Sequence, residues 1–218
     1  MKKRNFARAV PSLALFAAFA LWTAAVCRVD VRAIGPGGSS VGFAAMYGWV
    51  HGLTGVHRAL YTLTDWLGLV PLCFVLGFAL TGLVQLLRRK SLSAVDRGLL
   101  ALGVCYALTA AAYLLFEICV VNYRLVLIDG RLEASYPSST TLLAVCVLPT
   151  AAMELRARLA EAAVRRLIPA ALIALTVFVV TARLVYGVHW ASDIIGGVLF
   201  GTGVVRLYRA LAAAAEKE

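Results

Sequence analysis

The chain has 218 residues, of which 62% are hydrophobic and 15% charged, and its formal net charge is +10. Soluble globular domains carry about 45–50% apolar and about 25% charged residues, so the composition excludes that class and predicts an all-α integral membrane protein. Excess Lys and Arg in such proteins mark cytoplasmic loops, and we expect no nucleic-acid partner.

Apolar segments divide the chain into six predicted spans. They cover about residues 11–27, 66–87, 99–121, 138–153, 167–186 and 190–207. The first follows a basic start and resembles a signal peptide, but the spans that follow it favour a retained helix. After a glycine-rich loop, apolar residues recur every three or four positions over about 41–63, which predicts an extracytoplasmic amphipathic helix. The whole chain, 1–218, is thus predicted to form one membrane domain, a six-helix bundle.

The distribution of basic residues predicts the orientation. Six spans place both termini on one side, together with fifteen Lys and Arg residues, against six on the other side. The positive-inside rule therefore predicts a multi-pass cell-membrane protein with both termini in the cytoplasm. The loops that follow the third and fifth spans then lie outside the cytoplasm.

The junction of the last two spans carries a charged pattern. Arg183 is followed by His189 and then by Asp193, and the last two stand at i and i+4 if the chain is helical there. The carboxylate can orient one imidazole nitrogen while the arginine binds an anion. The alternative is a structural His–Asp pair at a helix end.

A second polar pattern follows the third span. Arg124 and Arg131 are seven positions apart, and residues 137–140 read Pro-Ser-Ser-Thr at a predicted helix start. Free backbone N–H groups at such a start attract anions. Helix capping is the alternative, and it accounts for one hydroxyl group rather than several.

Together these patterns resemble the type 2 phosphatidic acid phosphatase family, which is related to the vanadium-dependent haloperoxidases. The family motifs are Lys-x6-Arg-Pro, Pro-Ser-Gly-His and Ser-Arg-x5-His-x3-Asp, in this order on a six-helix bundle. The third motif matches at Arg183, His189 and Asp193, with Ala182 in place of the serine.

The first two motifs match in part. Arg124 stands for the lysine and Arg131 for the arginine, with Leu132 in place of the proline. In the second motif, Ser139 and Thr140 replace the glycine and the histidine.

The resemblance implies a membrane phosphatase for lipid phosphates that needs no metal or cofactor. His189 would attack phosphorus and form a phosphohistidine, and Asp193 would orient the ring. The implied phosphate ligands are Arg124, Arg131, Arg183, Ser138, Ser139 and Thr140.

The missing histidine affects the leaving group. Threonine is a very poor acid, and loss of general acid catalysis costs roughly 10²–10⁴-fold when the leaving oxygen needs a proton. A departing phosphate needs it far less than an alkoxide. We therefore expect a preference for lipid diphosphates, such as a polyprenyl diphosphate, unless another acid acts. Four residues are candidates for that acid: Glu117, Tyr123, Tyr136 and His57.

Two other functions fit the same sequence. The basic pocket would bind a phospholipid headgroup or assist lipid transport if catalysis has been lost, and Thr140 favours this reading. A small transporter is the third option, but the sequence lacks a pair of broken helices.

Overall fold

The computed structural model describes residues 2–54, 58–127, 130–185, 187 and 189–215. Within these residues the chain is helical, and no strand forms apart from two isolated bridges. The helices are α1 (Lys2–Val26), α2 (Ala44–Thr54), α3 (Arg58–Leu67), α4 (Leu69–Arg89), α5 (Arg97–Ile118), α6 (Ser139–Arg158), α7 (Val164–Val185) and α8 (Ala191–Ala215). Two short 3-10 turns lie at Pro36–Gly38 and Leu92–Ala94.

Six helical segments of the described chain are long and apolar enough to cross a membrane. They are Ala7–Val26, Ala59–Arg89, Arg97–Ile118, Ser139–Arg158, Val164–Val185 and Ala191–Ala214. The all-α, six-helix membrane bundle predicted from the sequence is therefore confirmed.

Several helices extend beyond the apolar segments that predicted them. α1 begins at Lys2 and contains Pro11 in its interior, where the proline removes one backbone donor from the helix. α6 continues to Arg158, since Arg156 and Arg158 in its last turn interact favourably with the carbonyl end of the helix.

The predicted amphipathic segment forms two helices, α2 and α3, and residues 55–57 between them lie outside the described part. α3 leads almost directly into α4 through Gly68, whose N–H donates to the carbonyl of Thr64 at 2.9 Å. α3 also packs against α7. One face of α3 is thereby placed at the end of α7 that carries Arg183.

α6 is the central helix of the bundle. It packs against α7 and α8, and α1 packs along α8. Many of its buried side chains are small, among them Ala144, Cys146 and Ala151. Small side chains let neighbouring helices approach closely, which is how helices associate within a membrane.

Glycines bring α8 against the start of α6. A methyl group added at Gly197 would lie 3.0 Å from the Thr141 side chain, and one at Gly201 would lie 2.9 Å from Val145. The close approach lets the N–H of Ser138 donate to the carbonyl of Asp193 at 3.1 Å. The sequence stretches carrying the second and third motifs are thus joined through the backbone.

The opposite end of the bundle holds both chain ends. The Arg8 guanidinium donates to the carbonyl of Ala213 at 2.9 Å, which ties α1 to the end of α8. Near this end Arg158 bridges Glu154 at 2.6 Å and Asp96 at 3.1 Å. The two ends of the bundle are therefore chemically distinct.

Candidate active site

The loop between α5 and α6 folds back on itself and presents two polar side chains to α8. Tyr123 and Ala134 form an isolated antiparallel bridge, and the N–H of Ser135 donates to the carbonyl of Asn122 at 2.9 Å. Asn122 and Ser135 are thereby adjacent, and both side chains are buried.

Asp193 is fully buried and accepts hydrogen bonds from three directions. Asn122 Nδ2 donates to Oδ1 at 2.9 Å, and the Ser135 hydroxyl and the Trp190 N–H (3.2 Å) donate to Oδ2. A carboxylate that accepts three hydrogen bonds is fixed in position.

His189 lies just before α8 and contacts this carboxylate through its Nδ1 atom. Nδ1 is 3.5 Å from Asp193 Oδ2 and 3.0 Å from Ser135 Oγ. Because Ser135 donates to Asp193, its oxygen is placed to accept the Nδ1–H of His189. A chain of two hydrogen bonds therefore links the ring to the carboxylate and fixes the tautomer with the proton on Nδ1.

The charge on His189 is controlled by its surroundings. Burial lowers the pKa of His189 below its ordinary value of 6.5, and Arg124 and Arg183 act in the same direction, against Asp193. The imidazole is therefore neutral near pH 7, as a nucleophilic nitrogen must be.

Arg183 lies in the last turn of α7, and its side chain is 1% exposed. Its Nη2 atom contacts Asp65 Oδ1 at 2.6 Å, and its guanidinium carbon lies 5.8 Å from the centre of the Tyr61 ring. Tyr61 and Asp65 stand four residues apart on α3, so one face of α3 holds the guanidinium.

Arg124 and Arg131 occupy different surroundings. Arg124 is 17% exposed, pairs with Glu133 at 3.1 Å, and is close enough to affect the charge of His189. The Arg131 side chain is exposed and makes no ion pair in the described part of the chain. The structure thus brings Arg124, but not Arg131, to the His189 cluster.

The start of α6 supplies polar groups that lack partners. Ser138 is the N-cap residue but makes no side-chain capping bond, and the hydroxyls of Ser138 and Thr141 are buried without a hydrogen-bond partner among the described residues. The capping alternative thus does not account for Ser138. Buried hydroxyls are ordinarily hydrogen-bonded, and these two lie at a helix start where a bound anion would supply the acceptor.

Ser139 and Thr140 point in different directions. Ser139 lines a narrow cleft, with a cavity volume of about 10 Å³, together with His189. A methyl group added at Gly68 would lie 3.3 Å from Thr140 Cγ2, so Thr140 packs against the start of α4. Successive helical residues are rotated by about 100°, which explains the divergence.

Four residues of the cluster were not identified from the sequence: Tyr61, Asp65, Asn122 and Ser135. Asp65 had a usable signal, because it is an acidic residue on the predicted outer side, where an arginine needs a partner. Asn122 and Ser135 offered no signal beyond being polar residues at the ends of a loop.

No metal-binding cluster is found in the described ranges, since no three or more His, Cys, Asp or Glu side chains there could hold an ion.

Comparison with known proteins gives two matches to this arrangement. The family model of the PAP2 superfamily matches residues 12–216. The chain is also similar to the crystal structure described as that of the first transmembrane PAP2 type phosphatidylglycerolphosphate phosphatase from Bacillus subtilis. The TM-score is 0.61 at 18% sequence identity, covering 95% of this chain and 97% of that chain. No curated protein gives a significant match.

Proposed function

Because this chain belongs to the PAP2 superfamily, we propose that it is a membrane lipid-phosphate phosphatase that forms a phosphohistidine at His189. One observation carries the proposal. The buried His189 ring is held through Nδ1 by Ser135 and Asp193, beside two arginines and the start of a helix. This arrangement joins a neutral nitrogen nucleophile to an anion-binding surface.

The phosphate oxygens would be bound by cations and by the start of α6. Arg124 and Arg183 supply positive charge, and the first backbone N–H groups of α6 point out of the helix. The Ser138 hydroxyl is a further donor. The guanidinium of Arg183 carries five N–H donors, so its contact with Asp65 through one nitrogen is compatible with a second contact to phosphate.

The reaction would take place in two steps. His189 Nε2 attacks phosphorus while the bond to the leaving oxygen breaks, and Asp193 stabilises the positive charge that develops on the ring. Water then attacks the phosphohistidine, the P–N bond breaks, and phosphate leaves. Arg124 and Arg183 stabilise the charge on the phosphoryl oxygens in both steps.

An apolar groove supports a lipid substrate. It lies between α4, α5 and α6, has a volume of about 400 Å³, and is lined mainly by leucine, valine and tyrosine side chains. Tyr113 and Ser139 line both this groove and the cleft at His189. A hydrocarbon chain in the groove would place an attached phosphate at the cleft.

The distribution of basic residues supports the orientation. With both termini in the cytoplasm, the α7–α8 junction and the start of α6 lie at the outer leaflet. The substrate would then be a lipid phosphate or diphosphate of that leaflet. Diphosphates need the least help from a general acid, because the leaving phosphate needs little protonation.

Phosphate release from a panel of lipid monophosphates and diphosphates in proteoliposomes tests the proposal, with His189→Ala as the control. We expect release by the wild type and none by the variant. Binding of these lipids without turnover would instead support a headgroup-binding protein, the function that Thr140 favours. Faster turnover of phosphatidic acid than of lipid diphosphates would reject the diphosphate preference.

A further inference from the structure

We propose that Glu117 donates the proton to the leaving oxygen and thereby extends the substrate range to lipid monoesters. The inference rests on the proposed phosphatase function. It concerns the step for which the second motif of this chain supplies only Thr140.

The position of Glu117 is the first support. Glu117 lies one residue before the end of α5 and lines the same cleft as His189 and Ser139. Its side chain is exposed, so it is accessible to a substrate that enters from the membrane. The Glu117 side chain and the His189 ring therefore border the same cleft.

The other candidate acids are less suited. The Tyr136 hydroxyl contacts Thr23 Oγ1 at 2.7 Å, and burial raises the pKa of Tyr136. Tyr123 is not among the described residues that line the cleft. His57 lies outside the described residues. Among the described residues that line the cleft, Glu117 is the one with a carboxyl side chain, and it is the candidate acid that remains.

The spacing of the first motif gives independent support. Glu117 and Arg124 are seven positions apart, as are Arg124 and Arg131, so Lys-x6-Arg has two possible registers here. The structure brings Arg124 to His189 and leaves Arg131 exposed. In the register that fits the structure, Glu117 takes the place of the lysine.

The charged and titratable groups around Glu117 come from four segments. They are Tyr113 on α5, Arg124 and Glu133 in the loop, Tyr136 before α6, and His189 before α8. Arg124 is already paired with Glu133 at 3.1 Å. Arg124 is thus held by a carboxylate other than Glu117.

The step balances without another reactant. His189 Nε2 forms a bond to phosphorus, the bond to the leaving oxygen breaks, and that oxygen takes its electron pair and the proton of Glu117. In the second step the Glu117 carboxylate removes a proton from the attacking water. The P–N bond breaks, its electron pair returns to Nε2, and the acid is regenerated.

Glu117→Gln tests the proposal because the amide keeps the shape of the side chain but cannot supply the proton. Two substrates are compared on the purified full chain in proteoliposomes: phosphatidic acid, with an alkoxide leaving group, and p-nitrophenyl phosphate, whose leaving group needs no proton. Glu161→Gln is the matched control, since Glu161 is an exposed residue at the opposite end of the bundle.

We expect kcat/KM for phosphatidic acid to fall about 10²–10⁴-fold in Glu117→Gln, while the value for p-nitrophenyl phosphate changes by less than about tenfold. Equal losses on both substrates, or no loss on either, would overturn the role of Glu117 while leaving the phosphatase function intact. A wild type that releases no phosphate from any substrate would overturn both.

Discussion

The two sides of the cleft differ in how tightly their polar groups are held. On the nucleophile side, His189, Asp193, Ser135 and Asn122 are buried and joined by hydrogen bonds. On the leaving-group side, Glu117 is exposed at the end of α5. In the proposed mechanism the nucleophile is therefore held by the fold, whereas the proton donor for the leaving oxygen is an exposed side chain.

Asp193→Asn should cause the largest loss of activity among the changes on the nucleophile side. The amide cannot stabilise the charged ring and favours the wrong tautomer, so we expect kcat to fall by roughly 10⁴-fold. Phosphate release and the thermal midpoint should be measured together. A variant with a normal midpoint and near-normal turnover would show that the hydrogen-bonded pair is structural.

Arg183→Gln should have the next largest effect. It removes a buried cation and leaves the half-exposed Asp65 and the bound phosphate without their positive partner. Activity should fall roughly 10²–10³-fold. Arg131→Gln is the matched control, and its exposed position predicts less than about a twofold change. Comparable losses in the two variants would contradict the assignment of Arg183 as the phosphate ligand.

Ser135→Ala tests the hydrogen bond between the ring and the carboxylate. A hydrogen bond to a charged group contributes about 1.5–3 kcal/mol, so kcat should fall roughly 10–100-fold with little change in KM. Ser93→Ala, an exposed change in a loop at the opposite end of the bundle, should have no effect. If Ser135→Ala retains full activity, direct contact between His189 and Asp193 suffices.

The smallest expected effect is a shift in the pH dependence of kcat/KM. The neutral ring is the nucleophile, and the pKa of His189 lies below 6.5, so the acid limb of kcat/KM due to this residue should lie below pH 6.5. Arg124→Gln removes a charge that lowers this pKa, so the limb should move to higher pH. Comparing variant and wild type on one substrate cancels ionisation of the substrate. A shift to lower pH would contradict the account, and Arg131→Gln should not shift the limb.

The fold and the contact between His189 and Asp193 could be predicted because their signals are local. Six apolar segments predict six helices, and the spacing of His189 and Asp193 predicts their contact even though α8 begins only at Ala191. The ends of the helices were less predictable. Arginines in terminal turns extend helices beyond the apolar segments that identify them.

The remainder of the site depends on tertiary contacts that periodicity does not reveal. Ser135 reaches His189 across 54 positions, and Asn122 reaches Asp193 across 71. Both contacts require the α5–α6 loop to fold back onto α8. The proposed phosphate contact of Thr140 remains a prediction, and the structure places its side chain against the start of α4.

Trapping the phosphorylated protein tests the central claim most directly. The wild type, incubated with a labelled lipid phosphate and quenched, should carry a label that is stable to alkali and labile to acid, as a phosphorus–nitrogen bond is. The account predicts that His189→Ala carries none, while Arg131→Gln is labelled like the wild type. Label that persists in His189→Ala, or steady phosphate release by that variant, would contradict the account.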